Sequence, residues 1–173
     1  MIVTAGLGIS SRASHLDVLD MLAELARAAG VLTFVGVGTL ESKSGAPALV
    51  RGVEAFAPIR IEGFGAAELT GIPVHAPSRR LEATVGTPSV AEAAAICAAR
   101  RLTGAARRAG DGSAPIPRPA SLLGWPVPGA PAAIDMLVPK LVGRFVTGAV
   151  ARATWVDQPQ RGQAIGAAGM ARY

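Results

Sequence analysis

The chain has 173 residues, half of them apolar and only 4% aromatic, with a net charge of +5. That is enough apolar material for one domain with a core of its own, and too much for a disordered chain. The single cysteine, Cys97, excludes an internal disulfide, and no apolar run approaches the ~20 residues that span a bilayer.

Ile2 to Ala5 is a short apolar run that predicts a buried strand. The segment AGLGISSRAS follows, read as a glycine- and serine-rich turn. Ser14 then opens a capping box with Asp17, and Leu16, Leu19, Leu22, Leu25 and Ala26 follow at helical spacing. Gly30 is the expected stop. Leu32 to Val37 predicts a second strand, and TLESKSGAP a loop after it. Pro47 fits a first helical position, with Leu49, Val50, Val53 and Phe56 as the apolar face, and Pro58 ends that helix. Ile59, Ile61 and Phe64 predict a third strand, and Ala66 to Thr70 one helical turn.

In VGTPSVAEAAAICAARRL, Thr87 or Ser89 is placed to cap a helix whose alanines allow close approach to a sheet. From about residue 104 to 133 prolines punctuate Gly, Ser and Ala with no period, which predicts a long surface loop. Met136 to Val138 and Phe145 to Ala151 then read as a hairpin, with Gly143 at its turn. Residues 157–173 are expected to form a flexible tail after a single domain over residues 1–156. Strands alternating with helices and closing on a hairpin predict an α/β fold. It is a three-layer α/β/α sandwich with a mixed, mostly parallel sheet. Ligands of such sheets bind beyond the carboxyl ends of the strands.

The chemistry-bearing residues are sparse. AGLGISSRAS lacks the third glycine of a dinucleotide fingerprint and the Gly-Lys-Ser/Thr of a P-loop. It offers backbone amides and hydroxyls before a helix, a general site for carboxylate or phosphate. Lys43 and Lys140 are the two lysines in a chain whose other 15 basic residues are arginines. Both are placed to bring point charge to strand tips. Five arginines lie between Arg100 and Arg118 with no aromatic among them, against the stacking pattern of nucleic-acid binders. His15 and His75 have no partners at metal-ligand spacing, so no metal and no cofactor is expected. Cys97, in mid-helix, reads as a core residue. Glu92 either closes a capping box with Ser89 or faces the crevice as an acid. MIVTAGLG has neither a charged n-region nor a long apolar region, so a cytoplasmic chain without membrane association is the expectation.

The order G-x-G, capped helix, Thr–Lys loop, VGTPSVAEAAAICAA, then LVPK and VTGAVAR resembles the CobE / CbiG C-terminal family of cobalamin biosynthesis, from about Ile2 to Arg152. Relatives often carry Cys-Arg directly after G-x-G, where this chain has Ile9 and Ser10, with Arg12 displaced. The resemblance implies a small α/β/α domain handling a precorrin or corrin intermediate. The two-part members look like hydrolases of a cobalt-precorrin lactone, and this chain resembles the stand-alone form of the aerobic route. The expected ligand is an anionic ring fringed by carboxylates. Its expected contacts are Gly6, Gly8, Ser10, Ser11, Thr39, Lys43, Gly86, Thr87, Ser89 and Lys140. Leu122, Leu123 and Trp125 are a candidate cover. Alternatives are an enzyme acting on a precorrin by a hydrolytic or rearranging step, and a subunit that docks onto another corrin-pathway enzyme, such as a precorrin methyltransferase.

Overall fold

The computed structural model describes residues 1–74, 89–110 and 133–154, with side chains of the last helix as far as Gly104. Gly86, Thr87, His75, the proline-rich segment from 111 to 132 and the tail from 155 onward lie outside the described residues.

Five strands form one sheet in the order β3-β2-β1-β5-β4. They are β1 (Ile2–Ile9), β2 (Gly36–Leu40), β3 (Arg60–Phe64), β4 (Ala133–Val142) and β5 (Val146–Thr154). β1, β2 and β3 are parallel; β5 runs antiparallel between β1 and β4. Four strands therefore point one way, and the predicted mixed sheet with a closing hairpin is present.

Helices α1 (His15–Ala29) and α2 (Pro47–Phe56) make the two β-α-β crossovers on one face. Side chains alternate along β1, so Val3, Ala5 and Leu7 join Leu22, Leu25, Val37, Leu49 and Val53 in that core. The short α3 (Ala66–Thr70) follows β3. The long α4 (Val90–Gly110) covers the opposite face, where Ala95 and Ala99 pack with Ile2, Ala151 and Ala153.

The two faces are built differently. On the α1 side, Leu and Val fill the gap between helix and sheet. On the α4 side there is almost no gap. A Cβ on Gly6 would collide with the carbonyl oxygen of Ala91, and one on Gly38 with that of Ala94. Glycine in the sheet and alanine in the helix let the two backbones touch.

α1 behaves as its sequence predicts. Ser14 Oγ accepts from the Asp17 amide at 3.2 Å, and Asp17 Oδ2 accepts from the Ser14 amide at 2.8 Å. The Ser14 hydroxyl also donates to Asp17 Oδ2 at 2.6 Å, and this bond first, with that from the Ser14 amide, holds the Asp17 carboxyl below its ordinary pKa. Gly30 ends the helix in the left-handed region at φ 66°. The expected apolar face is narrower than its leucines suggest, because Leu16 is 56% exposed.

Four boundaries differ from expectation, one of them at α4, which continues to Gly110 through the start of the loop expected from about residue 104. β1 continues through GLGI to Ile9, so Gly6 and Gly8 are strand residues and not turn residues. β2 begins at Gly36, and Leu32 is left exposed while Thr39 is drawn into the strand. β4 runs on to Val142, which places Lys140 inside a strand and moves the turn to residues 143–145. In β1 and β2 glycine hides the strand, because a residue without a side chain adds nothing to a hydrophobic period.

α4 is tied to β3 and α3 by charge. Glu62, 5% exposed, meets Arg60 at 3.0 Å and Arg101 at 3.1 Å. Arg101 also reaches Glu68 at 3.2 Å and lies over the Phe64 ring at 4.2 Å.

Candidate functional site

The carboxyl ends of β1 to β4 share one rim. The turn after β1 is closed by three bonds: the Ser10 amide donates to Phe145 O at 3.0 Å, the Ala13 amide to Ser10 O at 3.2 Å, and the Arg12 amide to Ser10 Oγ at 3.2 Å. Ser10 and Ser11 are exposed there. The Ser10 hydroxyl accepts within the turn and keeps its own proton for an outside acceptor.

Lys43 ends a single 3-10 turn, Glu41–Lys43, that follows β2. This turn lies against Gly63, whose missing Cβ would approach Glu41 Cα at 3.1 Å. Gly63 alternates with Glu62 and Phe64, which face α4, so Lys43 stands on the α1–α2 side of the rim. Thr39 lies below it, fully buried, donating to Leu7 O at 2.8 Å. That bond couples β2 to β1.

The second group stands on the α4 side. Gly8 pairs with Thr147 across the β1–β5 ladder, and its Cα faces Val90 at the start of α4. Thr147 Oγ1 donates to Gly8 O at 3.4 Å. The Lys140 amide donates to Glu92 Oε1 at 3.4 Å, so the first turn of α4 is joined to the edge strand β4. Ser89 and Glu92 are both fully buried. Gly6 lies one step further in, pressed against Ala91. Val142, 74% exposed, pairs with Thr147 at the outer end of this group.

The expected contacts thus meet at one rim but not on one face. Gly8, Ser89 and Lys140 lie on the α4 side, Lys43 on the other, and Ser10 and Ser11 along the edge between. From β2 to β4 is three strand steps, roughly 14 Å at normal spacing. Neither lysine forms an ion pair among the described residues. Thr147 and Val142 also stand at this rim, and no motif in the sequence marks them as contacts. The available signal was the hairpin, whose pairing brings Thr147 beside Gly8 once β1 is extended to Ile9.

A concavity of about 470 Å³ lies away from this rim, between α3 and α4, lined by Glu68, Gly71, Ile72, Cys97, Arg100 and Arg101. Cys97 is eight residues beyond Ser89, about 12 Å along the helix at normal rise. Its thiol is buried, which raises its pKa, with nearby Glu68 adding to the rise. It is therefore held as the neutral thiol, the core role its sequence context predicts. No group of three or more metal-ligating side chains exists among the described residues. No described helix is long and apolar enough to cross a membrane.

The family described as Cobalamin synthesis G C-terminus matches residues 3–151. The chain belongs to that family, and so to cobalamin biosynthesis. Among solved structures it is similar to CobE, "a protein from the cobalamin (vitamin B12) biosynthetic pathway", at 20% identity and a TM-score of 0.66, over 87% of this chain and 89% of that one. It is also similar to the cobalamin biosynthesis protein chiG from Agrobacterium tumefaciens str. C58, at 20% identity and a TM-score of 0.54, over 90% of this chain and 100% of that one. These likenesses establish the shared fold. A comparison with curated proteins finds no match.

Proposed function

We propose that this cobalamin-pathway protein binds an anionic precorrin or corrin intermediate of the aerobic route across the rim at the strand tips. The observation that carries the reading is the disposition of the two lysines. Lys43 and Lys140 stand on either side of one rim, without ion-pair partners among the described residues, in a family of cobalamin synthesis. A macrocycle fringed by carboxylates is wide enough to reach both. Ser10 and Ser11 lie between them as hydrogen-bond donors. Each charge-assisted bond contributes about 1.5–3 kcal/mol when shielded from water. Gly86 and Thr87 remain part of the proposed contact set by sequence; Gly6 and Thr39 do not, because the fold buries them to seat α4 and to join β1 to β2.

The test is titration of the protein with a metal-free precorrin or hydrogenobyrinate, followed by absorbance and calorimetry. Micromolar or tighter binding is expected, weakened by salt and by Lys43→Ala or Lys140→Ala. Absence of heat and of any spectral change with several such rings overturns the reading. A new product mass after incubation would instead identify an enzyme.

A further inference from the structure

Two helices of this chain begin with a serine followed three residues later by an acid. In α1 the pair closes on itself, Ser14 with Asp17. In α4 it does not. The Ser89 hydroxyl, on a residue with no exposed surface, makes no hydrogen bond. Among the described residues no group accepts from the amides of Val90 or Ala91. The Glu92 carboxylate is engaged sideways, by the Lys140 amide of β4.

A buried hydroxyl without a partner costs about 1–3 kcal/mol in a folded protein. It stands here at the N-cap of a 21-residue helix, where unclaimed first-turn amides carry partial positive charge. Three neighbours suit an incoming anion. Gly8 keeps the β1 backbone close to Val90, Thr147 brings a hydroxyl, and Lys140 adds a cation on the adjoining strand. The opposing charge is Glu92, whose bond to the Lys140 amide disperses part of it.

We propose that the N-terminus of α4 is a subsite for one carboxylate, with the Ser89 hydroxyl and the amides of Val90 and Ala91 as donors. Because Ser89 is covered, the group it takes is a short carboxylate arm and not the face of a ring. The subsite rests on the reading of the ligand as an acidic macrocycle, and assigns one of its arms a place.

Asp at position 89 separates a ligand site from a plain cap. It is among the best N-cap residues, so the helix amides offset part of the cost of burying its charge beside Glu92, and circular dichroism first establishes that Ser89→Asp is folded; it then puts a negative charge where the arm would bind. The full chain is titrated with propionate, and with propionamide as the uncharged isostere, while amide NMR signals are followed. Propionate should shift the Val90 and Ala91 amides in the parent and not in Ser89→Asp, and propionamide should shift neither. A metal-free corrin polycarboxylate should bind at least tenfold more weakly to Ser89→Asp and about threefold more weakly to Ser89→Ala. No propionate shift in the parent overturns the subsite. So does ring binding by Ser89→Asp at parental affinity, which leaves the proposed function standing. A propionate shift without ring binding has the opposite meaning: the subsite holds and the macrocycle reading falls.

Discussion

α1 and α4 cover opposite faces of one sheet and are held by different means. α1 rests on Leu22, Leu25 and Met21, large side chains that can adjust to one another, and its start is locked by its own residues. α4 lies directly on glycines, and its start is joined to other strands through Gly8 and Glu92. Backbone contact leaves little freedom to slide. The position of the α4 N-terminus over the rim is therefore set by the sheet, whereas that of α1 is set by its cap and its apolar stripe. The rigidly placed helix is also the one whose N-terminal hydroxyl, Ser89, has no hydrogen-bond partner.

The sharpest way to break this contrast is to force the α4 face apart. Gly6→Ala or Gly38→Ala puts a methyl into helix backbone, and about 3 kcal/mol should be lost in urea unfolding. Gly148→Ala meets Leu25 Cδ1 and Met21 side-chain atoms on the α1 side, which can move, so a clearly smaller loss is expected there. Equal losses would mean that the two faces are equally rigid.

Next in size is the charge tie of α4. Arg101→Ala leaves the buried Glu62 with Arg60 alone, whose side chain is 73% exposed. Because Arg101 is itself 41% exposed, solvent screens the pair and the expected cost is about 1–2 kcal/mol, including the lost contact with Phe64. Arg101→Lys should recover only part of it, since it cannot bridge Glu62 and Glu68 with a planar fork.

Smaller still is the comparison of the two serines. Ser14→Ala should cost about 1 kcal/mol by opening the capping box. Ser89→Ala removes an unpartnered buried hydroxyl and should leave unfolding free energy unchanged or slightly raised. A loss at Ser89 as large as at Ser14 would show that Ser89 caps α4 after all.

The least of these effects is in pH. The Asp17 carboxyl has a folded pKa below its ordinary value, so its contribution is present above the unfolded pKa and is lost as pH falls through the folded one. Asp17→Asn should lower the melting temperature slightly at neutral pH and flatten the acid side of the profile, so that variant and parent converge below about pH 4, measured by circular dichroism.

What could be read in advance divides along the same line. The cap of α1, its Gly30 stop, Pro47 at the head of α2, the α3 turn and the hairpin were legible because each depends on residues close in sequence. The extent of β1 and β2 was not. Gly6, Gly8, Gly36 and Gly38 look like turn formers until α4 is known to lie on them, and that contact joins residues some sixty to ninety positions apart. The candidate site has the same limit. Its lysines and hydroxyls stand out by type, and topology correctly sent Ser10, Lys43 and Ser89 to one rim. Their division between two faces depends on side-chain alternation in strands whose true ends were hidden by glycine. Thr147 and Val142 enter only through the β5 register.

The central place of β5 has a consequence for how the molecule is made. β1 pairs with β5 along its whole length, so Ile2 to Ile9 lie beside a strand formed more than 130 residues later. On the ribosome, β1, β2 and β3 emerge early with one flank of β1 unsatisfied, and nothing completes the sheet until Val146–Thr154 has been synthesised. Loop-closure entropy makes such distant pairing slow. Final closure is thus a late step, and until it occurs the exposed edge of β1 is the point most open to mispairing with a neighbouring nascent chain.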